Sequence, residues 1–197
     1  QAAWAFAAAL DALNIKSEII GFTTTQHPDD IHNIYASAAM ERLVAPFAKS
    51  IGKPTHLIQW EPLFMPIMKT FDERFGMEQK RRMSTMYDSR WFQSKLRNNI
   101  DGSCVQIAAK RLAAQPAKRK LMMVFSDGHP AGAMSGDILW THLRDVVKEV
   151  EAIGIETVGV GIMSEAVEKF YPKHFVVRNL SELPAKVIGE LKSFLLK

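Results

Sequence analysis

The sequence has little cysteine: Cys104 is the single one in 197 residues. One thiol excludes an internal disulfide framework and fits a reducing compartment, so a cytoplasmic setting is expected. No apolar run approaches bilayer-spanning length, and no membrane partner is expected. The Ala-rich opening from Ala2 to Leu10 has neither a basic leader nor a cleavage-type ending and does not read as a signal peptide. A phosphate-binding P-loop is missing, so this chain is not expected to hydrolyse ATP. Gly159-Val-Gly161 is half of a dinucleotide fingerprint, without a third glycine or a helix start in register. The histidines lack metal-ligand spacing, and no nucleophile-elbow pattern occurs. Basic residues cluster at Lys80-Arg81-Arg82 and Lys118-Arg119-Lys120, but neither run is interleaved with aromatics, and no nucleic-acid partner is expected.

What remains is an ordinary soluble composition, 47% hydrophobic and 23% charged, with Lys+Arg 25 against Asp+Glu 21 for a mild +4. That length suits one well-buried domain. The organising stretch is Leu121-Met-Met-Val-Phe125, an unbroken apolar run that predicts a strand buried on both faces. It ends in Ser126-Asp127-Gly128, which brings a hydroxyl and a carboxylate to the carboxyl edge of a sheet. Ligands bind at that edge in open α/β sheets, so Asp127 is the leading candidate site residue.

Along the chain, a helix is expected from Gln1 to about Asn14, already under way at the first residue, as in a fragment of something longer. Ser17–Thr24 reads as a strand with threonines at its exit, Gln26–Gly52 as a loop and a helix, and His56–Trp60 as another short strand. From Glu61 to Asn98, Met65, Met68, Met77, Met83 and Met86 lie among aromatics at helical spacing, which predicts a helical insertion over 61–98. This stripe packs a helical layer or forms an adaptable partner surface; packing is the more usual use. A helix is expected over Ser103–Ala114 and another after Asp137, with an apolar stripe of Leu139, Leu143, Val146, Val147, Val150 and Ile153 closed by Gly154. Ile155–Met163 and Phe175–Val177 read as strands, and Ser181 as the cap of a final amphipathic helix. Strands alternating with helices predict a mainly parallel sheet covered on both faces.

Two turns carry chemistry. Asp127 leaves the central strand, and Asn99-Ile-Asp101 opens a helix one βα unit earlier. Loops after neighbouring strands meet at one edge, so these oxygens can converge. They are hard ligands, suited to Mg²⁺, Mn²⁺ or Ca²⁺; equally, Asn, Asp and Gly are what turns and helix caps use. Cys104 and His129 can be drawn as a thiol–imidazole pair, but the apolar helix face around Cys104 points to a buried, inert thiol.

Asn99-Ile-Asp-Gly102, then Leu121 to Gly128 with Pro130, then His142 to Glu151, then Val158-Gly-Val-Gly161 resemble, in that order, the C-terminal von Willebrand factor A domain of the CobT-type subunit of cobaltochelatase. Ile19–Thr24 matches that domain's second strand, and Phe170-Tyr171 an aromatic pair after a later strand. The resemblance implies a Rossmann-like, three-layer α/β fold over residues 1–197, with a metal-ion-dependent adhesion site at the carboxyl edge of its sheet. Asp127, Asn99 and Asp101 would hold Mg²⁺ (or Mn²⁺ or Ca²⁺), and Ser126, Asp127 and Gly128 would meet a partner. The family's Asp-x-Ser-x-Ser turn, which follows its first strand, is not among these residues; it is expected just before Gln1, leaving this fragment short of two oxygen donors. The implied function is that of a non-hydrolysing subunit of an ATP-dependent metal chelatase, working with an AAA+ ATPase and a tetrapyrrole-binding large subunit. The alternative is a general adaptor of an AAA+ remodelling ATPase, without tetrapyrrole chemistry and with a vestigial metal site.

Overall fold

The computed structural model describes residues 2–25, 61–94, 96–132 and 136–179, with scattered positions between 182 and 193. The expected elements over Gln26–Gly52 and His56–Trp60, and most of the helix expected after Ser181, lie outside the described residues.

The centre is a three-stranded parallel sheet in the order β5–β6–β7: β5 is Lys120–Ser126, β6 Ile155–Ile162 and β7 His174–Val177. Register runs from Lys120 opposite Ile155 to Ser126 opposite Gly161, and from Gly159 opposite His174 to Ile162 opposite Val177. Helices α4 (Asp101–Ala113) and α5 (Gly136–Ala152) flank β5 in sequence and pack together. The predicted stripe of α5 is buried at Leu139, Leu143, Val146, Val147 and Val150. Each such side chain contributes about 1.5–3 kcal/mol by leaving water. Ile153, expected in the same stripe, is 63% exposed. The helix stops at Ala152, and Gly154 at φ +84° turns the chain left-handed into β6, carrying Ile153 outward.

β5 is less symmetric than an unbroken apolar run predicts. Met122, Val124 and Ser126 are buried, whereas Leu121, Met123 and Phe125 are half-buried. Met122 and Val124 join Val105, Ala109, Leu143, Val146 and Val147 in the larger core; the odd-numbered residues join Val158, Val160 and Val177 on the opposite face.

The N-terminal half departs further from expectation. Helix α1 spans Ala2–Ala12, with Asn14 at φ 54° ending it. Ser17–Thr24 is not one strand: β1 (Ile19–Ile20) pairs antiparallel with β4 (Ile67–Lys69), and β2 (Thr23–Thr24) with β3 (Leu63–Phe64). The segment 61–98 is not helical throughout either, since β3 and β4 precede α2 (Met77–Asp88) and α3 (Arg90–Gln93). The reason lies in Pro62 and Pro66, which flank two short extended pairs and cannot continue a helix. Their carbonyls instead accept from Thr25 N–H (3.2 Å) and Gly21 N–H (2.9 Å). Among the described methionines of this stretch, Met68 is buried and Met77 is 80% exposed, so the stripe divides between core and surface.

Candidate functional site at the carboxyl edge of the sheet

Ser126 ends β5 with its hydroxyl turned into the following bend. Its Oγ donates to the Gly128 carbonyl (3.0 Å) and accepts from the Gly128 N–H (3.4 Å). This local bond folds the chain back and leaves Asp127 exposed at the tip. The Asp127 carboxylate makes no hydrogen bond or ion pair with any described residue. A Cβ at Gly128 would meet no atom of the described residues within 4 Å.

The second turn is clasped to the first. Asn99 and Ala131 exchange both backbone hydrogen bonds, at 3.1 and 3.0 Å. The Asn99 Nδ2 amide donates to the His129 carbonyl and to Asp101 Oδ1, each at 3.1 Å. With its two N–H groups so engaged, Asn99 keeps Oδ1 as an acceptor with no partner among the described residues. These bonds tie the Asn99 turn to the segment that follows Asp127.

Asp101 faces inward and is only 2% exposed. Burial pushes its carboxyl up to about 7, and the charge of Asp127 adds to the rise, while the Asn99 hydrogen bond opposes it. Asp101 thus acts on the site through Asn99, whose amide it orients. Cys104 lies one turn further along α4, buried, with its thiol pushed up to about 12 by desolvation, an inert thiol as its neighbours predicted.

Three residues that support the site carried no conspicuous signal. Thr24 Oγ1 accepts from the Asn98 N–H (3.1 Å), and Thr23 Oγ1 from the Arg97 N–H (2.9 Å). Glu61 is 2% exposed and accepts from Asn98 Nδ2 at 2.9 Å. The run Thr23-Thr24-Thr25 marked a strand exit, but nothing local tied it to residues more than seventy positions away.

Beside β5 runs an apolar slot of about 900 Å³. Lys120 to Asp127 line it along their whole length, faced by Leu10 of α1, Ile19 of β1, Phe22, and Val105 and Leu112 of α4. Among the described residues β5 pairs only with β6, so its other edge opens onto this slot.

The sequence matches the von Willebrand factor A domain of the cobalamin biosynthesis protein CobT across residues 1–197. The chain belongs to that family. Membership accounts for the α/β order and the parallel sheet, and ties the CobT-type domain to cobalamin biosynthesis. No solved structure matches it. In this CobT-type chain no group of three or more His, Cys, Asp or Glu residues suited to a metal ion occurs among the described residues. The donors at the edge nonetheless suit a hard cation in kind: an exposed carboxylate on Asp127 and an amide oxygen on Asn99, both without a partner among the described residues. Mg²⁺ commonly keeps several waters and takes one or two protein carboxylates, so these two would hold it weakly until another donor completes the shell.

Proposed function

We propose that this CobT-type domain is the docking subunit of an ATP-dependent chelatase that inserts a metal into a tetrapyrrole during cobalamin biosynthesis. It works in the cytoplasm, with an AAA+ ATPase and a tetrapyrrole-binding large subunit, and hydrolyses no ATP itself. The observation that carries this reading is the Asp127 carboxylate, exposed at the sheet edge and unpaired among the described residues, on a turn hydrogen-bonded to Asn99. Asp127 would hold Mg²⁺, with Mn²⁺ or Ca²⁺ as substitutes, and Asn99 would assist; Asp101 would orient Asn99. A bound hard cation supplies an open coordination position for a partner carboxylate. Among the described residues no strand fills the apolar slot along β5, and we assign it to the family's first strand, whose following turn would bring further oxygens next to Asp127. Helices on the second face of the sheet would complete the three-layer arrangement.

The test is binding of the AAA+ subunit, measured by calorimetry in Mg²⁺ and again in excess chelator. Wild-type protein should bind only with metal. Asp127→Ala should lose binding at least tenfold while melting within about 2 °C of wild type, because an exposed carboxylate contributes little to the core. Equal binding by Asp127→Ala would sink the metal-handle reading. A second reading, metal-independent adaptor of an AAA+ remodelling ATPase, is favoured by the small number of free acidic donors; it predicts binding indifferent to chelator.

A further inference from the structure

Next to Asp127, on the same turn, stands a rigid aromatic shelf carrying one cation. The His129 ring stacks on Trp140 with centroids 4.6 Å apart and planes 25° from parallel. Phe170 meets both rings edge-on, at 6.1 and 6.4 Å. Trp140 Nε1 donates to the Pro130 carbonyl (3.3 Å), which fixes the indole to the turn. Lys169, at the end of a short 3₁₀ turn (Ala166–Lys169), lays its ammonium 5.1 Å from the Trp140 ring centre and 3.2 Å from His129 Nε2. An ammonium has only protons to give, so His129 accepts through Nε2 and carries its own proton on Nδ1.

The ammonium is held without being neutralised. Among the described residues no carboxylate comes within ion-pair distance of Lys169, although it is exposed and Asp127 is two residues from His129. A lysine on a flexible stem gives up side-chain entropy when it is fixed by a partner. Here the imidazole and the indole have already fixed it, so an incoming anion meets a preset charge. The shelf and the site are one piece, because the His129 carbonyl is the acceptor for Asn99 Nδ2.

We propose that this shelf is a second contact of the docking site, in which Lys169 receives an acidic side chain of the protein partner beside the carboxylate drawn to Asp127. The inference rests on the docking function proposed above and extends it to a partner bearing a pair of acidic residues. A polyanion is the wrong occupant: nucleic acid and anionic membranes need several cations together, whereas the shelf presents a single ammonium.

The experiment titrates the AAA+ subunit onto wild type, Lys169→Arg, Lys169→Gln, Lys169→Glu and Asp127→Ala, in Mg²⁺, at low and high salt. Lys169→Gln should weaken binding about threefold and Lys169→Glu about tenfold or more, since like charges face each other across the contact. Lys169→Arg should bind as wild type, and the salt dependence should be shallower for Lys169→Gln than for wild type. If binding needs metal and Asp127 yet ignores Lys169, the shelf proposal falls while the docking function stands. If binding falls with Lys169→Glu but ignores chelator and Asp127→Ala, the shelf stands and the metal handle falls. If wild type does not bind the AAA+ subunit at all, both fall. Because Lys169 is exposed, the variants should melt with wild type, so lost binding cannot be lost fold.

Discussion

Asp101 shows how burial and helix position compete at one residue. Its place in the first turn of α4 favours an anion by up to about 1 kcal/mol, but near-complete desolvation costs more, and the carboxyl is pushed up to about 7. In the unfolded chain it would titrate at the ordinary 3.8. Between those values the folded state keeps a proton that the unfolded state has released, so this group's contribution to stability falls as pH rises from about 4 to 7 and is level above that. The change is at most about 4 kcal/mol. Asp101→Asn cannot ionise and keeps an oxygen for Asn99, so its unfolding free energy should lack this decline. Denaturant melts of both proteins from pH 4.5 to 8 check it; parallel pH profiles would show that Asp101 is not held protonated. Gly161 illustrates a different constraint at the same scale. A Cβ there would lie 2.1 Å from the Ser164 carbonyl oxygen, which is backbone and cannot swing away. Gly161→Ala should therefore cost about 2 kcal/mol or more and lower the melting temperature by roughly 4–8 °C. A melt within 1 °C of wild type would mean that the 163–165 turn yields freely.

At the scale of elements, β5 is the strand on which the site depends. On one edge it holds seven residues in parallel register with β6; on the other it faces the apolar slot. Among the described residues no strand pairs with that edge, and an open, apolar edge of this length is a template for another strand. In a parallel ladder alternate residues direct their N–H groups to opposite sides. Hydrogen exchange on the 197-residue chain should thus show alternating protection along Lys120–Ser126, with slow amides facing β6 and fast ones facing the slot. Uniform slow exchange in a monomer would show the slot already filled; uniform slow exchange in a dimer would identify a second copy as the occupant.

For the whole molecule, the charge at the carboxyl edge is sparse but arranged: an exposed carboxylate on Asp127, a buried carboxyl on Asp101 whose ionisation desolvation opposes, and a fixed ammonium on Lys169. The metal-dependent docking proposed above would be a property of this ensemble, and the paired loss of chelator sensitivity and of partner binding in Asp127→Ala would be its molecular signature. Much of this architecture was legible beforehand. The period-3.6 stripe of α5, the apolar run of β5 and the glycine at its helix end dictated the βαβ order, because burial of those residues admits few alternatives. The N-terminal half was less legible: Ser17–Thr24 reads as one strand, yet Gly21 breaks it so that its halves find β4 and β3, and a pairing of that kind leaves no local trace.

The sequence by itself determined the family, the parallel core, the exposed Asp127 at the end of an apolar strand and the inert Cys104, since each follows from the polarity of near neighbours. Only the tertiary structure decided that Asn99 spends its amide on Asp101 and His129, that Thr23, Thr24 and Glu61 brace the Asn98 turn, and that Lys169 rests on His129 and Trp140 beside the site. Those contacts join residues tens of positions apart. Their energies depend on desolvation and on angles between groups, and both are set once the chain has closed on itself.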